Sequence, residues 1–261
     1  MNVRIMSSNI WGDYFGNEIA VREDQLLDVY QRYAPDVLGM QEATPGWRQS
    51  ALFRELAKDY EFVDTGRFTD GNYTPLVYRR EFFALIDGGF VQFEDTPDKS
   101  KSITWAVLEH KTTGKRFGAM STHWWWKNIG KAEDDALRVS NAAKVTEMAR
   151  NLAEQYGIPV FAFGDFNSRY ACPGIAHLRE NGWRFAQEEA DVTLMVSTHH
   201  GDPKRGEDGL FHGEPTLQTA ERSIDHIVYM GTAVPLEFRV VEDQDALDAT
   251  DHSPIWCDFE I

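Results

Sequence analysis

Residues 160–169 read VFAFGDFNSR. Four apolar side chains, Val160 to Phe163, run together before Gly164 breaks the run, and Asp165 and Asn167 then follow two apart. A short continuous apolar run bounded by a glycine is the pattern of a strand buried on both faces, as in layered α/β folds. Asp and Asn are turn formers, and "GDFN" alone reads as a turn. At the tip of a buried strand, however, a carboxylate and a carboxamide can also handle a metal ion and a phosphate. The rest of the chain decides between these readings.

Strand-like and helix-like runs alternate on both sides of this stretch, with no linker, repeat or low-complexity tract, so we expect one α/β domain over residues 1–261. Val3 to Met6 reads as a strand. Residues 18–33 read as a helix with Leu26, Val29, Tyr30 and Tyr33 on one face, ended by Pro35, and "DVLGMQE" is the next strand. Thr44-Pro45 looks like an N-cap and first helical position, continued by Leu52, Leu56 and Tyr60. Strands are expected at 75–79, 82–86, 104–109 and 116–121. The longest helix is expected at 131–156, closed by Gly157. In "PIWCDFEI", Ile255, Cys257, Phe259 and Ile261 alternate with Trp256, Asp258 and Glu260, as a half-buried strand requires. Residues 197–221 are polar, glycine-rich and aperiodic, and read as one long surface loop.

The chain carries 42 acidic and 26 basic residues, a formal charge of −16. An acidic surface repels polyanions and forgoes counterion release, which argues against tight DNA or RNA binding. Two cysteines, Cys172 and Cys257, are too few for a disulfide scaffold and read as reduced structural thiols. No apolar run approaches the ~20 residues of a membrane-spanning helix. The N-terminal MNVRIMSSNIW is a strand pattern, not a secretory leader. The sequence as it stands suggests a cytoplasmic protein, or a secreted or periplasmic one if a leader has been removed. A monomer is expected.

Polar groups recur where apolar strands end. Asn9 ends the first, Glu42 ends "VLGMQE", His123 ends "FGAMSTH", and Asp165 and Asn167 follow "VFAF"; Asp225 lies in "RSIDHIVY", and Asp251-His252 precede the last strand. Ligand sites of α/β sheets collect at strand termini. The oxygen donors Asn9, Glu42, Asp165, Asn167 and Asp251 suit Mg2+ or Mn2+ more than Zn2+. His123 and His252 can serve as acid, base or phosphate donor near neutral pH, and a carboxylate such as Asp225 can orient one of them. Metal, oriented histidine and amide donors are together what phosphoester hydrolysis needs.

From "SSNIW" through "QE", "STH", "FGDFNS" and "SIDHIVY" to "TDHSP", the chain resembles the endonuclease/exonuclease/phosphatase (DNase I-like) superfamily of metal-dependent phosphoesterases over about residues 5–259. The resemblance implies a four-layer α/β/β/α sandwich, with two mixed sheets face to face and helices outside. It implies Glu42 as metal ligand, with Asn9 and Asp251 as ligands or close supports. Asp165 would position or deprotonate the attacking water and Asn167 would bind the phosphate. His252, paired with Asp225, would act as general base or phosphate donor, and His123 would contact the phosphate or protonate the leaving oxygen. Two departures stand out. Asn72, in "NYTPLVYR", occupies the place where relatives similar to pancreatic deoxyribonuclease hold the first histidine with a Glu, and an amide cannot hold His123 as an imidazolium in the same way. Trp11 replaces the Asp that abasic-site nucleases commonly carry, so "NIW" looks closer to the sphingomyelinase and phosphatase branches.

"THWWWKN" places Trp124, Trp125 and Trp126 after His123. Three consecutive strand residues cannot all face one core, so one reading buries one or two and exposes the other. The other reading is an aromatic wall beside the site, joined by Trp11, that stacks on a base, sugar or lipid headgroup. Arg169 is the best candidate for a second phosphate contact and Arg205 the next; Arg79, Arg80, Lys127 and Lys204 read mostly as solvated charges. Adjacent histidines can form a Zn2+ site, but no Cys or His at ligand spacing follows closely, so His199-His200 read as structural or substrate-loop residues, and His226 as a packing residue. The expected reaction is Mg2+-dependent phosphoester hydrolysis on a small, sugar or lipid phosphoester rather than nucleic acid. A DNase I-like endonuclease is the alternative, and a non-catalytic binding module on the same fold a further one.

Overall fold

Val160–Asp165 is a central strand, buried at every position. It pairs in parallel with Arg116–His123 and antiparallel with Asp225–Met230. The computed structural model to which it belongs describes residues 1–64 and 71–261, with Thr193 and Leu194 described by their backbone path. Among the described residues, the sheet containing this strand has six strands, in the order Phe83–Gln92, Ser102–His110, Arg116–His123, Val160–Asp165, Asp225–Met230 and Arg184–Phe185. A second sheet has seven, in the order Asp191–Leu194, Val234–Val240, Ile255–Glu260, Asn2–Asn9, Val37–Gln41, Leu76–Arg79 and Tyr60–Phe62.

The sheets pack face to face through Ile5, Val37, Tyr78, Ile255 and Phe259 on one side and Phe117, Phe161, Phe163 and Ile227 on the other. Phe161 meets Phe259 at 4.7 Å between ring centroids. Burying each such side chain contributes about 1.5–3 kcal/mol. Gly39 permits the close approach, because a Cβ there would lie 2.5 Å from the Phe163 ring. The helices Glu23–Tyr33, Ala51–Asp59 and Gln244–Ala249 cover the outer face of the seven-stranded sheet, and Ala132–Tyr156 with Pro173–Glu180 cover the other. The architecture is the four-layer sandwich expected. Leu26, Val29, Tyr30 and Tyr33 share the buried face of their helix, and Gly157 ends the longest helix at φ 66°.

Several details differ from the sequence reading. The helix read from Pro45 through Tyr60 is two pieces, Pro45–Arg48 and Ala51–Asp59, because Ser50 caps a new start, and Tyr60 opens a strand. The first helix starts at Glu23 because residues 19–21 form a tight 3-10 turn and Arg22 leaves helical geometry. Phe83–Gln92 runs past Asp87-Gly88-Gly89, which look like a turn, because a bulge between Leu85 and Asp87 absorbs them. The strand Val234–Val240 and helix Gln244–Ala249 had no counterpart in that reading. Residues 197–221 are not uniformly loop: Lys204–Arg205 and Phe211–His212 pair as a small antiparallel ribbon. Both cysteines are free and buried. Among the described residues no helix is long and apolar enough to cross a membrane.

His226 is fully buried among Phe166, Tyr170 and Phe185. Its Nε2 donates to the Ser168 carbonyl at 2.7 Å and its Nδ1 accepts from Gln187 at 2.9 Å, a set that satisfies only the neutral ring. Burial pushes its pKa down to about 4. The unfolded chain takes up this proton below about pH 6.5 and the folded chain does not, so stability present above that pH is lost as pH falls toward 4, by on the order of 3 kcal/mol. Denaturant midpoints measured across this window are expected to fall less steeply for His226→Gln than for the parent; identical slopes would contradict the assignment.

Candidate active site

Strand register assembles the site. His123 lies beside Asp165, and Asp165 beside Asp225, across three neighbouring strands of one sheet. In the facing sheet Asn9 pairs with Gln41, so Glu42 is the next residue along. Parallel strands end where their antiparallel neighbours begin, which brings sequence-distant groups to one end of the sandwich. Gly164 is required just before Asp165, because a Cβ would fall 1.8 Å from the Thr122 carbonyl oxygen of the adjacent strand.

Backbone strain concentrates here. Trp11, Glu42 and Asn167 hold φ values of 53°, 60° and 47°, a conformation costing of order 1–3 kcal/mol each, less for Asn. The buried Arg22 secures the first of these. Its guanidinium donates to the carbonyls of Ile10 and Ala249, each at 2.8 Å, and to that of Trp11, which Trp47 Nε1 also reaches at 3.2 Å.

A hydrogen-bonded network joins the polar groups. Asn9 Nδ2 donates to Glu42 Oε1 at 3.4 Å and to Asp165 Oδ2 at 3.2 Å, while the Trp11 amide donates to Asn9 Oδ1 at 3.1 Å. Gly12 N–H donates to Glu42 Oε2 at 2.9 Å, and Asn167 N–H to Asp165 Oδ1 at 2.8 Å. His252 Nδ1 donates to Asp225 Oδ2 at 2.8 Å, which leaves Nε2 facing Asp165 Oδ2 at 3.8 Å. Thr198 Oγ1 accepts from the Asp225 amide at 3.1 Å and ties the 197–221 segment to the site. His123 Nε2 lies 3.2 Å from both Asp165 Oδ2 and Asn167 Nδ2.

Lys101 is the residue that the sequence reading missed. Its buried ammonium lies 2.9 Å from His123 Nε2 and 3.2 Å from Nδ1. Asn72, expected beside His123, instead turns its Oδ1 to the Thr74 amide at 2.9 Å and the Thr104 hydroxyl at 3.1 Å.

The electrostatics follow from burial among alternating charges. Burial alone would raise the Asp165 carboxyl, but the His123 imidazole, and after it His252, hold it well below the usual range. Burial would likewise raise Glu42, and His123 with Lys101 reverse that. Burial opposes charge on His252, yet Asp225, Asp251 and Asp165 keep its pKa well above the ordinary imidazole value. Burial pulls Lys101 down against the carboxylates of Glu42, Asp98 and Asp165. Burial pushes Asp251 up to about 7, with the nearby Glu42 charge adding to the rise and His252 opposing it. Asp251 Oδ1 is buried with no hydrogen-bond partner among the described residues. Two half-buried carboxylates repelling each other, one with an unpartnered oxygen, fit a hard cation.

Glu42, Lys101, His123, Asp165, Asn167, Asp251 and His252 line a cleft of about 870 Å³. Trp126, half exposed at 51%, stands on its rim with Tyr73, Phe15 and the carboxylates of Asp98 and Asp202. Trp11 lines it too, edge-on to Phe211 at 5.3 Å. Four expected contacts lie elsewhere. Trp124 is fully buried and stacks on Phe166 at 4.3 Å, because the strand ends at His123 and the next residue folds into the helix-covered core. Arg169 does not line the cleft, since the chain turns away after Asn167 toward the helix Pro173–Glu180. Asn72 is likewise not among the lining residues. Arg205 pairs with Glu18 at 3.1 Å instead. His199, read as a loop residue, faces the site: it bridges His252 through the backbone and its ring stands 4.8 Å from the His252 ring.

The four-layer sandwich gathers Asn, Glu, Asp and His side chains at its strand ends, and both the sequence and the fold place the chain in one family. The chain belongs to the Endonuclease/Exonuclease/phosphatase family, whose model matches residues 6–252. Its fold is shared by an endonuclease/exonuclease/phosphatase protein from Bacteroides vulgatus, 23% identical with a TM-score of 0.79, covering 100% of this chain and 99% of that one. A mannosyl-6-phosphatase from Bacteroides thetaiotaomicron is 17% identical with a TM-score of 0.75, covering 99% and 100%. D. rerio TDP2, in complex with a single-strand DNA product, is 19% identical with a TM-score of 0.73, covering 100% and 99%. No curated protein sequence matches the chain.

Proposed function

We propose that this protein hydrolyses a phosphoester of a small, hydroxyl-rich molecule of the sugar-phosphate class, with Mg2+ or Mn2+ held by Glu42 and Asp251. The observation that carries this reading is the continuous set Asp225–His252–Asp165–Asn9–Glu42, joined at 2.8–3.8 Å, of which His252, Asp165 and Glu42 line one cleft. An ion bound there draws negative charge from the phosphoryl oxygens.

The chain's own residues do the rest. Asn9 turns its donor toward Glu42 and Asp165, so it acts by orienting those carboxylates. Asp165 is kept ionised and fixed by the Asn167 amide, and is available to orient a water and take its proton. Asp225 holds the His252 ring with Nε2 toward Asp165, where a charged imidazole donates to a phosphoryl oxygen. Asn167 Nδ2 and His123 offer donors on the opposite side. Lys101 supplies positive charge against the His123 ring, toward the leaving oxygen.

The rim supports the substrate class. Carboxylates such as Asp98 and Asp202 accept hydrogen bonds from sugar hydroxyls and repel an extended polyanion, and an exposed indole stacks on a sugar face. The mannosyl-6-phosphatase relationship points the same way. The net charge of −16 weighs against the DNA reading that TDP2 suggests.

The test is turnover of p-nitrophenyl phosphate, bis-p-nitrophenyl phosphate, hexose phosphates and plasmid DNA with Mg2+, Mn2+ or EDTA. Hexose-phosphate turnover that EDTA abolishes is expected. Plasmid nicking alone would favour the nuclease, and no turnover of anything the binding module. Trp126→Ala is expected to raise KM about threefold to tenfold with kcat retained, as loss of a stacking contact of ~0.5–1.5 kcal/mol implies. An unchanged KM would remove Trp126 from the substrate face.

A further inference from the structure

His199 takes no part in the reaction described above, yet the fold brings it to the site. The backbone bridge between His199 and His252 places the two side chains together, and flanking hydrogen bonds pin it: His200 N–H to the Asp251 carbonyl at 3.1 Å and Ser253 N–H to the Thr198 carbonyl at 2.7 Å. His199 Nε2 lies 3.8 Å from Asp251 Oδ2. One donor atom from each of His199, Asp251 and His252 falls within 4.8 Å of the others. Four-coordinate zinc sets ligand distances near 2.0–2.2 Å, hence donor separations of roughly 3.3 Å. Small side-chain rotations reach that value, and the partly exposed His199 ring leaves an open side toward the cleft for entry and for a water ligand.

We infer that His199, Asp251 and His252 form a second metal site, selective for an imidazole-preferring ion of the Zn2+ class and distinct in chemistry from the hard-ion pair Glu42 and Asp251. Two nitrogens and one carboxylate oxygen suit zinc, whereas Mg2+ prefers oxygen donors only. His252 is already braced for such a role, because Asp225 holds its Nδ1 at 2.8 Å and leaves Nε2 as the ligand atom once zinc has displaced its proton. Asp251 belongs to both sets, so the two ions compete. Occupation by Zn2+ also withdraws His252 from the substrate. The site is therefore an inhibitory one; the inhibition rests on the hydrolytic reading, but the binding does not.

Calorimetric titration of the whole protein with Zn2+, with Co2+ absorption as a second probe, tests the site independently of turnover. His199→Asn is expected to weaken Zn2+ binding at least about tenfold, with His199→Gln as a second variant should the first fold poorly. Equal Zn2+ affinity in the parent and both variants overturns the site. In the Mg2+-supported assay, Zn2+ is expected to inhibit the parent, and His199→Asn to relieve that inhibition while keeping its zinc-free rate within about twofold. Inhibition equal in parent and variant overturns the switch. A protein that binds Zn2+ through His199 but hydrolyses no ester would retain the site and remove the proposed function.

Discussion

Replacing Asp165 with alanine is expected to lower kcat by at least about 100-fold, the usual scale for loss of a positioned proton acceptor. The expectation follows from where the carboxylate sits. It is the hub of the network, accepting from Asn9 Nδ2 and the Asn167 amide and facing both His123 and His252. Those two imidazoles hold it ionised although burial opposes the charge. Its removal leaves both rings without their shared anion, so the rate is to be measured at saturating substrate on protein whose thermal midpoint shows it folded. Full activity in that variant would show that Asp165 neither orients nor deprotonates anything.

The second large effect is expected from Asp225→Asn. The amide keeps the size of the carboxylate but presents the wrong partner to His252 Nδ1, and comparable losses of a histidine-orienting carboxylate reach about 10⁴-fold. The pH profile separates orientation from charge. Asp225 is the first of three carboxylates that raise the His252 pKa against burial. If the charged imidazole donates to the phosphoryl group, activity falls as pH rises through the His252 pKa. Removing Asp225 lowers that pKa, so the alkaline limb of kcat moves to lower pH. A rate loss with no displacement of that limb would assign Asp225 to geometry alone.

Much of this site was legible in the sequence because strands carry their polar ends with them. An apolar run that stops at Asp165 or His123 states both the element and its tip, and the sheets bring those tips together. The alternation in "PIWCDFEI" likewise announced a strand, although Trp256 finds a second buried face under Arg4, 4.0 Å from the ring centroid. What stayed hidden depends on loops folding back. Lys101 sits in the polar string "DKSKS", and only the segment preceding Ser102 buries it against His123. His199 has its partner 53 positions away, beyond any local ligand spacing, and the bridge that unites them is an isolated one held by two backbone hydrogen bonds. The three tryptophans show the same limit from the other side. Trp124 and Trp125 are buried and Trp126 is not, a partition set by the chain's path after His123.

The most direct test of the account is Mg2+ dependence of phosphate release from a hexose phosphate, measured for the parent protein and for Glu42→Gln. The account predicts saturable activation that EDTA abolishes, and a half-activating Mg2+ concentration at least about tenfold higher in Glu42→Gln, since that variant loses one charged ligand. Turnover that persists in EDTA, or a Glu42→Gln protein activated at the same Mg2+ concentration as the parent, would contradict it.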